Sequence, residues 1–368
     1  MGGRAEEESF WAEEWEAGVA GSRVIPRHLD PSPVPVRRVA YGPAAQHFAE
    51  LRLPTAESAA SRARSGASPV AVFVHGGFWK SEWALDLESA MADDLARRGW
   101  ASWSIEYRRV GYKANGYEPQ AGAGWPGTFQ DVATALDKLA DVATEVAAAG
   151  DAALDLQRVV LIGHSAGGHL ALWLAQVPSP HTPALYAPPV PSRGSISTLG
   201  AAQQCPRRRR SQAHRQETVR LLDSEARCRV KPLAVVGQAP VADLHKAFAQ
   251  NLSDDGDAAE KFMGCTPQSA EGGRAYSVAS PAAVLPLGCA QLLVTGTDDT
   301  DVPIALTREY AEDVRRVRYT LSRTDLGQPQ PADCRGFFAA DSARVPKAQL
   351  AAFVRLNGGG CVRREGTR

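Results

Sequence analysis

The sequence has no long apolar run, no excess of charge of either sign and no closely spaced cysteines. No apolar stretch approaches the roughly eighteen residues that a membrane-spanning helix needs. Lys plus Arg and Asp plus Glu both number 41, so overall charge gives no reason to bind nucleic acid or an anionic membrane. The first residues are acidic, unlike a secretory leader. We therefore expect a cytoplasmic protein that binds neither nucleic acid nor membrane.

The six cysteines are far apart in the sequence and contain no Cys-x-x-Cys pair. This spacing argues against a zinc site or a small disulfide-rich fold and favours reduced thiols, several of them buried. Hydrophobic residues make up 44% and charged residues 22% of the chain, which is ordinary for a globular protein with a core. The cysteines are Cys205, Cys228, Cys265, Cys289, Cys334 and Cys361.

Short β-branched runs alternate with segments of helical periodicity along most of the chain. This alternation predicts right-handed crossovers and a mostly parallel sheet flanked by helices, an α/β fold. The predicted strands are 70–74, 101–105, 158–162, 233–236, 291–294 and 318–321, and the predicted helices are 83–98, 129–149, 166–176, 303–317 and 345–356.

Composition divides the chain into an arm and one large domain. Residues 1–35 are acidic and then rich in proline, and we predict an N-terminal arm there; residues 36–368 would form the α/β domain. Within it, 178–231 is rich in Pro, Ser and Gln and contains four consecutive arginines at 207–210. We predict a mobile basic insertion, and we favour a solvated loop over a nucleic-acid or nuclear-import patch.

The strongest chemical signal is the motif Gly163-His-Ser-Ala-Gly167, which fits Gly-x-Ser-x-Gly and lies between a predicted strand and a predicted helix. In that context the sharp turn needs small neighbours and presents Ser165 at the carboxyl end of the sheet as a nucleophile. The N–H group of Ala166, at the start of the following helix, favours developing negative charge.

A second glycine-rich segment, His75-Gly-Gly77, follows the strand 70–74. The glycines allow the backbone N–H groups of Gly77 and Phe78 to face a carbonyl oxygen together with Ala166, as an oxyanion hole requires. A plain tight turn is the alternative. We expect His75 to fix this loop by hydrogen bonding rather than to act as a base.

An acidic segment at 294–303 follows a predicted strand and precedes a helix. Its position suits the triad order Ser, Asp, His, and Asp299 is the best candidate for the acid. Asp298 and Asp301 remain alternatives, and a helix-capping or turn role is possible for each of the three.

Taken together, the motifs resemble the α/β-hydrolase family, in its esterase and kynurenine formamidase-like branch. The resemblance rests on His75-Gly-Gly-Phe-Trp79, Trp125-Pro-Gly-Thr-Phe-Gln-Asp131 and Gly163-His-Ser-Ala-Gly-Gly-His-Leu-Ala171. It covers about 22–177 and 232–317. It implies hydrolysis of a small ester or amide through a Ser165 acyl-enzyme, without metal or other cofactor. Asp299 stands at the family's Gly-x-x-Asp-x-x-Val-Pro position.

The family also requires a histidine after the last strand, and no histidine follows Asp299 in this sequence. Asp333 and Cys334 are nearest to the expected position, but neither readily replaces an imidazole. We expect His164 and His169 to be structural. His214 and His245 would have to reach the site from loops.

Three interpretations follow. The first is a serine hydrolase with an unusual or defective base, and the second is a non-catalytic α/β-hydrolase-fold protein that binds a ligand or partner. The third is an error in the gene model across 322–338. Five aromatic residues are predicted either to line a substrate pocket or to belong to the core: Phe78, Trp79, Trp83, Tyr107 and Trp125.

Overall fold

The computed structural model describes residues 34–55, 58, 66–111, 119–176, 229–285, 287–324 and 339–340. Nearly all of the predicted arm (1–35) and of the insertion (178–231) lies outside these ranges. The same holds for Asp333, Cys334, His214 and the predicted helix 345–356. The domain boundaries and the properties of the insertion therefore stay predictions.

The described strands form one eight-stranded sheet with the order β1-β2-β4-β3-β5-β6-β7-β8. β1 pairs antiparallel with β2, and β2 pairs antiparallel with β4, while every other neighbouring pair is parallel. The strands are β1 (Val36–Ala40), β2 (Phe48–Arg52), β3 (Ala67–Val74), β4 (Ala101–Ile105), β5 (Ala153–His164), β6 (Ala234–Gln238), β7 (Ala290–Val294) and β8 (Ala339–Ala340).

Helices connect the parallel strands, as crossover connections require. No helix among the described residues is long and apolar enough to cross a membrane. The helices are α1 (Ser89–Arg97), α2 (Gly127–Ala148), α3 (Ala166–Leu174), α4 (Leu244–Ala249), α5 (Ala258–Met263), α6 (Ala270–Ala279) and α7 (Ile304–Thr324), with single 3₁₀ turns at Leu85–Glu88 and Pro281–Ala283.

The central strands are apolar because both faces of the sheet are covered. In β3, Val72 packs into the core shared with α2 and α3, while its neighbour Phe73 packs on the opposite face with Ala92 of α1. Alternate side chains of a strand point to opposite faces, so a strand buried on both sides reads as a continuous apolar run. This layering brings the carboxyl ends of β3 and β5 side by side, with Val74 paired to Gly163.

The predicted strand at 318–321 is wrong, because these residues continue α7 to Thr324. The buried residues Leu306, Tyr310 and Val314 form a stripe at helical spacing, and Val317, packed against the core, extends it by one more turn. Adding a residue to an existing helix costs little compared with starting a new element. Local β-branched and aromatic content at Tyr319 and Thr320 therefore did not decide the structure.

Candidate functional site

Ser165 sits in the turn between β5 and α3, with φ 53° and ψ −117°. Non-glycine residues seldom adopt positive φ, and such strain persists only where the surroundings hold it. Here the backbone N–H of Ser165 donates to Gln238 O over 2.8 Å, and Val241 N–H donates to Ser165 O over 3.2 Å. The loop after β6 therefore holds the turn. Gln238 had not been singled out from the sequence.

The glycines of the motif are required by crowding around this turn. A Cβ atom at Gly163 would meet Gly167 O, and one at Gly167 would meet the carbonyl oxygens of Val74 and His75. Since these neighbours are backbone atoms, they cannot move aside cheaply. The motif thus packs the end of β5 and the start of α3 directly against the end of β3.

The His75 loop lies against Ser165. A Cβ atom placed on Gly76 would stand 3.3 Å from the Ser165 Cβ atom. The loop then turns through three consecutive positive φ angles, 102° at Gly77, 47° at Phe78 and 58° at Trp79. A hydrogen bond of 2.9 Å from Lys80 N–H to Gly77 O closes the turn.

Three backbone N–H groups near Ser165 have no acceptor among the residues that the structure describes. Those of Gly77, Phe78 and Ala166 donate no hydrogen bond to any group in the described part of the chain. The loop therefore differs from an ordinary tight turn, in which such donors are satisfied locally. Ala166 is also the first residue of α3, where the helix dipole is positive.

A buried polar cluster supports this loop from behind. The His75 ring is 1% exposed, stacks on Tyr107 with 4.2 Å between ring centroids, and lies 3.4 Å from Glu106 Oε1 through Nε2. Glu106 also accepts hydrogen bonds from the Leu85 and Tyr107 N–H groups and pairs with Arg109 at 3.2 Å. His75 therefore fixes the loop.

The pKa of Glu106 is lowered within this cluster. Burial opposes the charge of the carboxylate, but the neighbouring His75, Arg109 and Tyr107 N–H more than offset that penalty. Sequence reasoning missed Glu106. A lone acidic residue directly after an apolar strand was the available signal.

Asp299 lies in the turn between β7 and α7, partly buried. Its Oδ1 atom accepts hydrogen bonds from Asp301 N–H at 3.1 Å and Val302 N–H at 2.9 Å. Its neighbours Asp298 and Asp301 are exposed. Asp299 and Asp301 both act electrostatically on His164, so this turn reaches across β6 towards the Ser165 turn.

The described histidines differ sharply in environment. His169 is fully buried in the core, where burial lowers its pKa to about 4, as expected for a structural residue. His245 is on the surface of α4 near Asp243 and Tyr276, and His47 lies 3.0 Å from Asp131. His164, in contrast, is exposed and directly precedes Ser165 in the chain.

The position expected for the family's base must be revised. Because 318–321 is helix and β8 is at Ala339–Ala340, a residue that follows the last described strand would come after Ala340. The sequence there reads Asp341-Ser-Ala-Arg344 and again lacks histidine. Asp333 and Cys334 precede β8 and do not correspond to that position.

The five aromatic candidates divide into two groups. Trp79 and Tyr107 belong to the core, with 1% and 0% exposure, and Trp79 stacks on Phe262 at 4.3 Å between centroids. Phe78, Trp83 and Trp125 are partly exposed. Trp83 packs directly on Gly77, next to the open N–H groups.

Metal ligation finds no support in the described ranges, where no three His, Cys, Asp or Glu residues cluster as ligands. Of the two described cysteines, Cys289 is buried and Cys265 is partly exposed, and both are free thiols.

The parallel sheet and the strained serine turn after β5 define an α/β-hydrolase fold. The chain belongs to the BD-FAE family, whose family model matches residues 59–314. No curated protein sequence matches the chain.

Solved structures share the fold at low sequence identity. Esterase B from Lactobacillus rhamnosis is 17% identical, with a TM-score of 0.55 and 96% of each chain covered. A lipase/esterase from Lactobacillus plantarum is 16% identical, with a TM-score of 0.52 over 88% of this chain and 98% of that one. A bifunctional GH43-CE protein of Bacteroides eggerthii is 16% identical, with a TM-score of 0.52 over 87% of this chain, which spans 37% of its length.

Proposed function

We propose that the chain is a serine hydrolase of small carboxylic esters that acts through a Ser165 acyl-enzyme. One observation carries the proposal: Ser165 is held in a strained turn beside three backbone N–H groups that have no acceptor among the described residues. Ordinary packing gives no reason to leave three neighbouring donors unpaired. A tetrahedral intermediate would give them an acceptor.

The donors of Gly77, Phe78 and Ala166 would stabilise the oxyanion that forms when Ser165 attacks the carbonyl carbon. Such a donor is worth roughly 3 kcal/mol of the activation barrier when it is fixed before the reaction. The buried His75 and Glu106 contacts fix the loop in this way. Asp299 would act as the acid of the triad and stabilise a nearby positive imidazole.

Small esters with good leaving groups suit this site best. Ser165 is only 6% exposed, so access is narrow, while the partly exposed Phe78 and Trp83 offer apolar contact area beside the donors. An amine must be protonated as it departs, whereas an activated aryl oxygen can leave as an anion. An aryl oxygen leaves more readily than an amine, so we place N-formyl amides, suggested by the formamidase-like motifs, second.

A non-catalytic, ligand-binding role is the alternative, and the absence of a histidine after Asp299 is the observation that favours it. Loss of one triad member typically leaves about 10³ to 10⁴-fold acceleration over water. A binding protein would show no Ser165-dependent acceleration. The two functions therefore differ in a measurable quantity.

The test compares hydrolysis of p-nitrophenyl acetate and of N-formylkynurenine by the wild type, Ser165→Ala and Ser277→Ala. Ser277 is a matched control, since its hydroxyl bonds Arg274 O on α6. We expect acetate hydrolysis above the uncatalysed rate that is retained in Ser277→Ala and falls in Ser165→Ala to the level that the N–H donors and binding alone sustain, with slower turnover of the amide. Equal rates in the wild type and Ser165→Ala would support the binding function.

A further inference from the structure

The ring of His164 lies beside the turn that holds Ser165. An ideal Cβ position on Gly76 is 2.8 Å from His164 Nδ1 and 3.3 Å from Ser165 Cβ. Two atoms that close to one point are at most about 6.1 Å apart, the sum of the two distances. The two side chains therefore border the same space beside Gly76, where a change of rotamer or a bridging water would connect the serine hydroxyl to this nitrogen.

The surroundings of His164 suit a proton acceptor. Its ring is exposed and makes no hydrogen bond within the ranges that the structure describes. Nearby protein atoms nevertheless desolvate it, and this desolvation lowers its pKa, while Asp299 and Asp301 act in the opposite direction. Because its pKa is lowered, the ring is mostly neutral at pH 7.

Among the described residues, the charged groups that act on His164 come from a single turn. Asp299 and Asp301, after β7, are the two carboxylates that act on it. Its partner on the neighbouring strand β6 is the uncharged Gln238. On the β3 side it meets Gly76. Protonation of the ring would therefore be opposed by desolvation from neighbouring protein atoms and supported by Asp299 and Asp301.

We propose that His164 is the general base for Ser165, in place of the histidine that the sequence lacks after Asp299. This inference rests on the proposed ester hydrolysis and deepens it by assigning the proton acceptor. It differs from the sequence-based expectation that His164 is structural. The exposure of the ring and its proximity to both Gly76 and Ser165 are the reasons for the change.

The proton transfers balance over one turnover. The neutral imidazole of His164 takes the Ser165 hydroxyl proton as Oγ bonds to the ester carbonyl carbon. The imidazolium then gives this proton to the departing alkoxide, and the bond from carbon to the leaving oxygen breaks. In the second half, imidazole takes a proton from water, hydroxide attacks the acyl carbon, and Ser165 Oγ leaves with the proton returned.

The decisive variant is His164→Gln, with the surface variant His245→Gln as a matched control. Hydrolysis of p-nitrophenyl acetate is measured between pH 5 and 9. For the wild type and His245→Gln, we expect the hydrolysis rate to rise with pH and to level off near pH 7. The rate should reach half of this plateau value at a pH below 6.5. His164→Gln should be about 100-fold slower at pH 7. Its rate should rise with hydroxide concentration without a plateau.

The outcomes separate this inference from the proposed function. Ser165-dependent hydrolysis with an unchanged profile in His164→Gln would overturn the base assignment alone. The absence of Ser165-dependent hydrolysis in the wild type would overturn both.

A second measurement does not depend on activity. In ¹³C-labelled protein, the NMR signal of His164 is identified as the histidine signal that is lost in His164→Gln. This signal should titrate with a midpoint below pH 6.5. In Asp299→Asn the midpoint should be lower still, because a negative charge that favours the protonated ring is gone. If the midpoint of this titration were at pH 6.5 or above and did not change in Asp299→Asn, the proposed placement of the ring would be contradicted.

Discussion

Gly76 and Ser165 are in direct contact across the ends of β3 and β5, and a Cβ atom on the glycine would lie 3.3 Å from that of the serine. The same added atom would lie 2.8 Å from both the backbone oxygen and Nδ1 of His164. The His75 loop, which carries the unpaired N–H groups of Gly77 and Phe78, and the serine turn therefore fix each other's position. A single methyl group added at Gly76 should therefore disturb both the loop and the serine turn.

Gly76→Ala should impair stability and hydrolysis together. The new methyl group meets a carbonyl oxygen that cannot move without displacing β5, and overpacking of this kind costs about 1–3 kcal/mol. A shift of about 1 Å at the reacting groups is worth about 100-fold in rate. Thermal unfolding and p-nitrophenyl acetate hydrolysis are the measurements.

The control for that experiment is Gly288→Ala, where an added Cβ atom has no neighbour within 4 Å. This variant should match the wild type in both measurements. A Gly76→Ala protein with unchanged stability and rate would show that the contact between the loop and the serine turn is loose.

Glu88→Gln should stabilise the protein at alkaline pH. Burial raises the pKa of the Glu88 carboxyl from 4.5 to about 7, so the folded state keeps a proton that the unfolded chain has already lost. The wild type therefore loses stability as pH rises from 4.5 to 7, by up to about 3 kcal/mol. Glutamine stays neutral and avoids this loss.

Denaturant unfolding at pH 4.5 and pH 8 measures the effect. The two proteins should be similar at pH 4.5, and the variant should be more stable at pH 8. Asp151→Asn, at an exposed position, should change neither value appreciably. A Glu88→Gln protein that is less stable at pH 8 would mean that the carboxylate is ionised and bound to a partner.

His169→Gln should reduce the acid sensitivity of the fold. Burial lowers the pKa of His169 from 6.5 to about 4, so the unfolded chain takes up a proton before the folded state does. Stability from this residue is present above pH 6.5 and is lost as pH falls towards 4, by about 3 kcal/mol. Glutamine retains a donor for Ala279 O, which lies 3.0 Å from His169 Nε2.

The free energy of unfolding, measured from pH 7.5 to pH 4.5 for both proteins, tests this. The wild type should lose more stability than His169→Gln over that range. Parallel curves would indicate that His169 titrates as it does in the unfolded chain.

The central sheet was predictable because its strands are buried on both faces. The prediction 101–105 coincides with β4 (Ala101–Ile105), and 158–162 lies inside β5 (Ala153–His164). The antiparallel strands β1, at the sheet edge, and β2, beside it, escaped notice, since Val36–Ala40 is mostly exposed and Phe48–Arg52 carries charge. At a sheet edge, pairing partners rather than local sequence select the strand.

For the candidate site, sequence reasoning located the two glycine-rich turns and the acidic turn because each follows a strand. It did not find the groups that hold them, such as Glu106 behind the loop and Gln238 beside the serine turn. These contacts join residues far apart in the chain. Their roles depend on which strands lie side by side, and local pattern does not contain that information.

The central claim is that Ser165 is a reactive nucleophile, and the most direct measurement is covalent labelling with a fluorophosphonate, read by intact mass and peptide mapping. The account predicts one adduct per chain, located on Ser165, absent in Ser165→Ala and retained in Ser277→Ala. No adduct on the wild type, or an equal adduct on Ser165→Ala, would contradict it.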